Sequence, residues 1–136
     1  MTTPFDSQAA APVDPQRPLA GRAVVVVEDE ALVAMYIEEI LLDLGAAAVH
    51  LASTVETGLA LLERAAPQFA VLDLNLAGRA SYPIAQRLDT LSVPYLFLTG
   101  YGADGVDPAW RSRPIVQKPA TFDILRKAIV GALRPL

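Results

Sequence analysis

Residues 68–76 read QFAVLDLNL, and this stretch limits the architecture more than any other. Phe69-Ala70-Val71-Leu72 is apolar at every position and stops abruptly at Asp73. A run without polar alternation suits a strand covered on both faces, as in a parallel sheet between two helix layers. Such sheets carry their ligands outside the carboxyl ends of their strands. Asp73 would stand at one of those ends. Taken alone, it reads better as a solvated aspartate that terminates a strand. The weight therefore falls on whether other strands bring matching groups to the same edge.

Four further segments have the required form. Ala23-Val24-Val25-Val26-Val27 is β-branched and apolar, and ends in Glu28-Asp29-Glu30. Ala46 to Leu51 is a weaker second strand that contains His50, the sole histidine, to which no role is given. Tyr95-Leu96-Phe97-Leu98 follows Val93-Pro94 and runs into Thr99-Gly100-Tyr101-Gly102. Ile115-Val116-Gln117 ends in Lys118-Pro119, an X-Pro bond and so a candidate for the cis form.

Helical patterns lie between them. Val33, Ile37, Ile40, Leu41 and Leu44 recur at spacings of three and four, with acids ahead and Gly45 placed as the residue beyond the end. Ser53 and Glu56 have the spacing of a capping box for a helix reaching about Ala65. Ser81 is placed to cap a helix with Pro83 in its first turn, and Thr121 to cap the last one, from Phe122 to about Leu133. Residues 103–114 show little periodicity, so any helix there is short, around Pro108 to Arg111, with Trp110 as a lid over apolar surface. Strands alternating with helices imply a parallel sheet with right-handed crossovers. The expected fold is α/β: a flavodoxin-like, three-layer α/β/α sandwich with five strands in the order 2-1-3-4-5.

Composition narrows the function. At 53% hydrophobic and 19% charged, the chain is too apolar to be disordered, and 136 residues allow one domain. Residues 1–20, with four prolines and no periodicity, are read as a flexible Pro-rich tail, and residues 21–136 as the domain. A net charge of −4 argues against nucleic acid as a partner. The lack of cysteine excludes disulfides, thiolate chemistry and Cys-ligated zinc, and His50 alone argues against a His-based zinc site. No apolar stretch has the length of a membrane span, and no secretory signal opens the chain, so the expected location is the cytoplasm.

In the 2-1-3-4-5 order, the strands ending in Glu28-Asp29, Asp73, Thr99 and Lys118 are neighbours. Carboxylates without zinc-type ligands suit Mg²⁺, which prefers hard oxygen donors. A carboxylate can accept a phosphoryl group as an aspartyl phosphate. A cation, a lysine and a hydroxyl would neutralise and hold the oxygens of that group. Packing alone does not readily explain the four together.

These stretches, VVVVEDE, VLDLNL, FLTG and QKP, resemble the receiver domain of bacterial two-component response regulators, from about Gly21 to the end of the chain. The resemblance implies Asp73 as phosphoacceptor and Asp29 as a direct Mg²⁺ ligand, with Glu28 acting through water or hydrogen bonds. It implies a further metal ligand in the backbone carbonyl of Asn75. Thr99 would contact the phosphoryl group, Lys118 would pair with Asp73 or the phosphate, and Lys118-Pro119 would be cis. Two positions depart from the family pattern. Glu28 replaces the first of two aspartates, and Ile115 replaces the Tyr or Phe that swings inward on phosphorylation.

Residues 94–102, PYLFLTGYG, are similar to the FATGUY type of single-domain receiver from alphaproteobacteria, though Leu98 and the placement of Tyr101 differ from its motif. Tyr101, with Gly100 and Gly102, is the candidate replacement for the missing switch residue. The function implied is a stand-alone switch phosphorylated by a sensor histidine kinase, working by protein contact. A histidine phosphotransfer protein or a downstream regulatory protein would be a further partner. With no room for a DNA-binding domain, direct transcriptional control is not expected. A phosphate sink or relay intermediate fits the same residues. An Mg²⁺-dependent phosphatase of the haloacid dehalogenase type would need an acid where Asn75 stands. A degenerate receiver that only binds proteins is opposed by the intact Asp73, Thr99 and Lys118. A nucleotide-binding flavodoxin-like protein is opposed by the absence of a Gly-rich phosphate loop after the first strand.

Overall fold

The computed structural model describes residues 13–134. Five strands form one parallel sheet: β1 (Ala23–Val27), β2 (Ala48–Ala52), β3 (Phe69–Asp73), β4 (Tyr95–Thr99) and β5 (Ile115–Gln117). Their order is 2-1-3-4-5, as the alternation of elements predicts. Four helices connect and cover them: α1 (Ala31–Asp43), α2 (Val55–Ala65), α3 (Tyr82–Thr90) and α4 (Phe122–Leu133).

The strands are apolar throughout because each divides its side chains between two cores. Val24 and Val26, Phe69 and Val71, and Leu96 and Leu98 face Ile37 and Leu41 of α1 and Leu125 and Ile129 of α4. Val25 and Val27, Ala70 and Leu72, and Tyr95 and Phe97 face Leu62 of α2 and Ile84 and Leu88 of α3. Complete burial of one such large side chain stabilises the fold by about 1.5–3 kcal/mol. The central strands therefore sit rigidly, and their carboxyl ends are fixed relative to one another.

Several boundaries differ from the sequence expectation. The end of α1 explains the shift of β2 to Ala48–Ala52. Gly45 takes φ +103°, its N–H bonds to Leu42 O at 3.0 Å, and Ala46 N–H bonds to Leu41 O at 3.1 Å. This Schellman closure commits Ala46 to the helix end rather than to a strand. The capping box of α2 is Thr54 with Thr57, not Ser53 with Glu56. Thr57 N–H bonds to Thr54 Oγ1 at 3.0 Å, and Thr54 N–H bonds to Thr57 Oγ1 at 3.1 Å. Glu56 turns outward to pair with Arg79. Ser81 is at the N-cap position of α3, but its side chain caps nothing; the hydroxyl is buried with no hydrogen-bond partner among the described residues. Thr121 caps α4 as expected, accepting from Ile124 N–H.

Of the expected tail, residues 1–12 lie outside the described residues. Pro18 and Leu19 are buried against the domain, while residues 14–17 are exposed. Leu19 is fully buried, its N–H bonds to Leu44 O, and the Pro15 carbonyl accepts from Arg126. The packed unit thus begins ahead of residue 21.

The segment after β3 is a small antiparallel ribbon, Asn75–Leu76 against Arg79–Ala80. Ala77 (φ 53°) and Gly78 (φ 91°) both take the left-handed region that a two-residue hairpin turn requires. Between β4 and β5 two single 3₁₀ turns, Gly102–Gly105 and Pro108–Trp110, stand in place of an α-helix. Among the described residues no helix is long and apolar enough to cross a membrane.

Candidate functional site

The carboxyl ends of β1, β3, β4 and β5 bring Glu28, Asp73, Thr99 and Lys118 to one place. Each follows from a strand that runs out of apolar residues at the same sheet edge. Glu28, Asp73 and Thr99 are 2%, 5% and 2% exposed, so three polar groups here are nearly dry. Asp29, one residue beyond Glu28, is exposed.

Lys118 is the cation of the site. Its ammonium donates to Glu28 Oε1 at 2.8 Å and reaches Asp73 Oδ2 at 3.2 Å. Glu28 is also held through Oε2, which accepts from Glu30 N–H at 3.1 Å. The backbone of Lys118 is anchored on β4, its N–H bonding to Thr99 O at 2.8 Å. The Lys118–Pro119 bond is cis.

One ammonium does not balance this many carboxylates. Burial pushes the Asp73 carboxyl up to about 7, the charge of Glu28 adds to the rise, and Lys118 opposes it. The Lys118 ammonium is held above its ordinary value; burial works against it, but the hydrogen bond to Glu28 and the charges of Asp73 and Glu28 prevail. Oxygen atoms of Glu28, Asp29 and Asp73 lie within 4.8 Å of one another. An all-oxygen donor set with excess negative charge fits a hard divalent cation such as Mg²⁺.

A cavity of about 380 Å³ opens beside Asp73. Asn75, Thr99, Gly100 and Tyr101 line it, and so do Tyr82, Gly105 and Asp107, which motif reasoning passed over. Asn75 spends its side chain on the hairpin, Oδ1 accepting from Gly78 N–H at 2.8 Å. Thr99 Oγ1 accepts from Tyr101 N–H at 3.1 Å, while the Tyr101 ring points into solvent, 81% exposed. Gly102 takes φ 63° in the first 3₁₀ turn. Ile115 stands beside Phe97 on the sheet and packs into the core of α2 and α3. The only signal that could have found Tyr82 is its place in the first turn of α3, which starts at this sheet edge.

Comparison with known proteins agrees with this geometry. The model of the response regulator receiver domain matches residues 24–129. Among solved structures, SdrG from Sphingomonas melonis Fr1 is 38% identical, with a TM-score of 0.70, over 85% of this chain and 98% of that one. The BeF3-activated conformation of SdrG from Pseudomonas melonis Fr1 is 38% identical, with a TM-score of 0.72, over 82% and 96%. The response regulator PhyR from Brucella abortus is 29% identical, with a TM-score of 0.76, over 88% of this chain but only 50% of its own length. The search of curated proteins finds no match.

Proposed function

The chain belongs to the response regulator receiver domain family, and from that premise we propose that it is a phosphorylation switch in a two-component or phosphorelay system, with Asp73 as the phosphoacceptor. The observation that carries the reading is Lys118 held between Glu28 and Asp73, with Asp29 beside them, at the end of the central strands.

The donor we assign is the phosphohistidine of a sensor kinase or of a histidine phosphotransfer protein, met in the cytoplasm. An Asp73 oxygen forms a bond to phosphorus as the P–N bond to the donor breaks, and the electron pair of that bond stays on the imidazole nitrogen. Asp29, Asp73 and the Asn75 carbonyl would hold Mg²⁺, with Glu28 acting from behind through its hydrogen bonds. Mg²⁺, when bound, supplies positive charge against the phosphoryl oxygens. Lys118 offers a second cation once its Glu28 contact loosens. The Thr99 hydroxyl, already an acceptor from Tyr101, retains its own proton to donate to a phosphoryl oxygen. The exposed Tyr101 and the loop of Gly100 and Gly102 are placed to answer that contact.

We read the output as protein contact, to a downstream regulatory protein or, for a sink or relay, back to a phosphotransfer protein. Turnover of a phosphomonoester is disfavoured because Asn75, tied into the hairpin turn, is a carboxamide and supplies no general acid for the leaving group.

The test is incubation with a small phosphodonor and Mg²⁺, read by intact mass. A phosphoryl-sized gain that disappears in Asp73→Asn and with EDTA is the expected result. A gain that persists in Asp73→Asn would remove Asp73 from the role.

A further inference from the structure

The cavity beside Asp73 is continuous with an aromatic stack that the receiver motifs do not include. Tyr82 lines the cavity from the first turn of α3. Its ring lies on that of Trp110, centroids 5.3 Å apart and 8° from parallel. Both rings meet Phe97 edge-on, at 6.0 and 6.1 Å. The Tyr82 hydroxyl accepts from Asp107 N–H at 2.8 Å. Arg113 lies over the indole at 5.3 Å, and is itself held by Asp89 of α3 and by the Tyr95 hydroxyl, each at 3.0 Å. Residues 102–113, which lack an α-helix, are thus tied to α3 by one hydrogen bond, one ring pair and one arginine.

The segment also touches Thr99. A Cβ added at Gly105 would lie 3.1 Å from Thr99 Oγ1 and 3.0 Å from Tyr101 Cβ, so Thr99, Tyr101 and Gly105 are in close mutual contact. Ile115, in register with Phe97, has no ring to move through this region.

We infer that Tyr82 and Trp110 form a latch that couples Asp73 to residues 102–113, with Tyr82 as the positioning residue, in place of an aromatic residue on β5. The inference rests on the phosphoacceptor reading and deepens it. Drawing the Thr99 hydroxyl toward a phosphoryl oxygen pulls on the Tyr101 N–H that it accepts from. Gly105, packed against both, moves with them. Asp107, two residues on, is drawn off the Tyr82 hydroxyl, and Trp110 loses its stacked neighbour. Val106 anchors the segment in the core of α2 and α3, and the residues on either side of it exchange between two arrangements under a ligand-sized bias.

Trp110 is the sole tryptophan, so its fluorescence reads the latch directly. The full chain is treated with phosphoramidate and Mg²⁺, the extent of reaction is taken from intact mass, and acrylamide quenching of Trp110 is measured before and after. Wild type is expected to show a rise in the quenching constant of about twofold on phosphorylation, as the population shifts to the open arrangement. Tyr82→Phe keeps the ring but offers Asp107 no acceptor. It is expected to be quenched at the higher level in both states, and Asp73→Asn at the lower level throughout. Amide exchange at Asp107, slow in wild type and faster after phosphorylation, gives a second readout that does not depend on the variant folding well. A phosphoryl gain with Trp110 quenching and Asp107 exchange unchanged would overturn the latch and leave the phosphoacceptor reading intact. Tyr82→Phe responding like wild type would overturn it as well. No gain in mass counts first against the phosphoacceptor reading, and the latch falls with it.

Discussion

The Lys118 ammonium is closer to Glu28, at 2.8 Å, than to Asp73, at 3.2 Å. The acid at the end of β1, longer by one methylene than an aspartate, reaches across to the lysine and leaves Asp73 only partly neutralised. Glu28→Gln keeps the shape and removes the charge. It frees Lys118 to pair with Asp73 and takes one negative charge from the donor cluster. Mg²⁺ affinity is expected to fall roughly tenfold, as it does when outer-shell partners of a metal site are changed. Amide shifts followed through an Mg²⁺ titration measure it, and an unchanged affinity would place Glu28 outside the influence of the metal.

The raised Asp73 carboxyl makes stability depend on pH. Its folded value, about 7, is above the ordinary 3.8. Protonation therefore favours the folded state, and this contribution, complete below about pH 4, is lost as pH rises through about 7. Asp73→Asn carries no such charge. In EDTA at pH 8 the variant is expected to be more stable than wild type by about 1–2 kcal/mol, a value reduced for residual solvent screening. The difference should shrink toward pH 5 and on adding saturating Mg²⁺. Urea unfolding at the two pH values decides this, and a variant less stable than wild type at pH 8 would contradict it.

Ser81 buries a hydroxyl with no partner among the described residues, although it occupies the N-cap position of α3. An unsatisfied buried hydroxyl costs stability, and no cap is lost by removing it. Ser81→Ala is expected to raise the unfolding free energy by about 0.5–1 kcal/mol. A loss of similar size in denaturant titration would mean that the hydroxyl is engaged after all.

Thr54 and Ser53 offer a contrast at the start of α2. Thr54 accepts from Thr57 N–H, while Ser53 is one residue outside the box. Thr54→Ala should lower stability by about 1 kcal/mol. Ser53→Ala should change it by less than about 0.5 kcal/mol, as exposed substitutions usually do. Thermal unfolding of the pair checks the assignment, and equal losses would contradict it.

The sheet and its order were legible in the sequence because a doubly covered strand has a one-dimensional signature. Val24 to Val27, Phe69 to Leu72 and Tyr95 to Leu98 are apolar at every position, and their first polar residues mark the functional edge. Glu28, Asp73, Thr99 and Lys118 were found in this way, since strand ends in a parallel sheet must converge. Helix starts were less legible. Ser53 and Thr54 are both good caps, and the choice between them depended on how far β2 continues, through Ala52, before the chain turns.

Only the tertiary structure decided how the site is wired. Lys118 and Glu28 are ninety positions apart in the chain, and which carboxylate the ammonium prefers is a matter of tenths of an ångström. Tyr82 and Trp110 meet because the start of α3 and the second 3₁₀ turn both bring a ring onto Phe97. Residue types and spacings determined which groups gather at the sheet edge. Their pairing, burial and shifted proton affinities arise from distances between elements, and a linear sequence does not contain those distances.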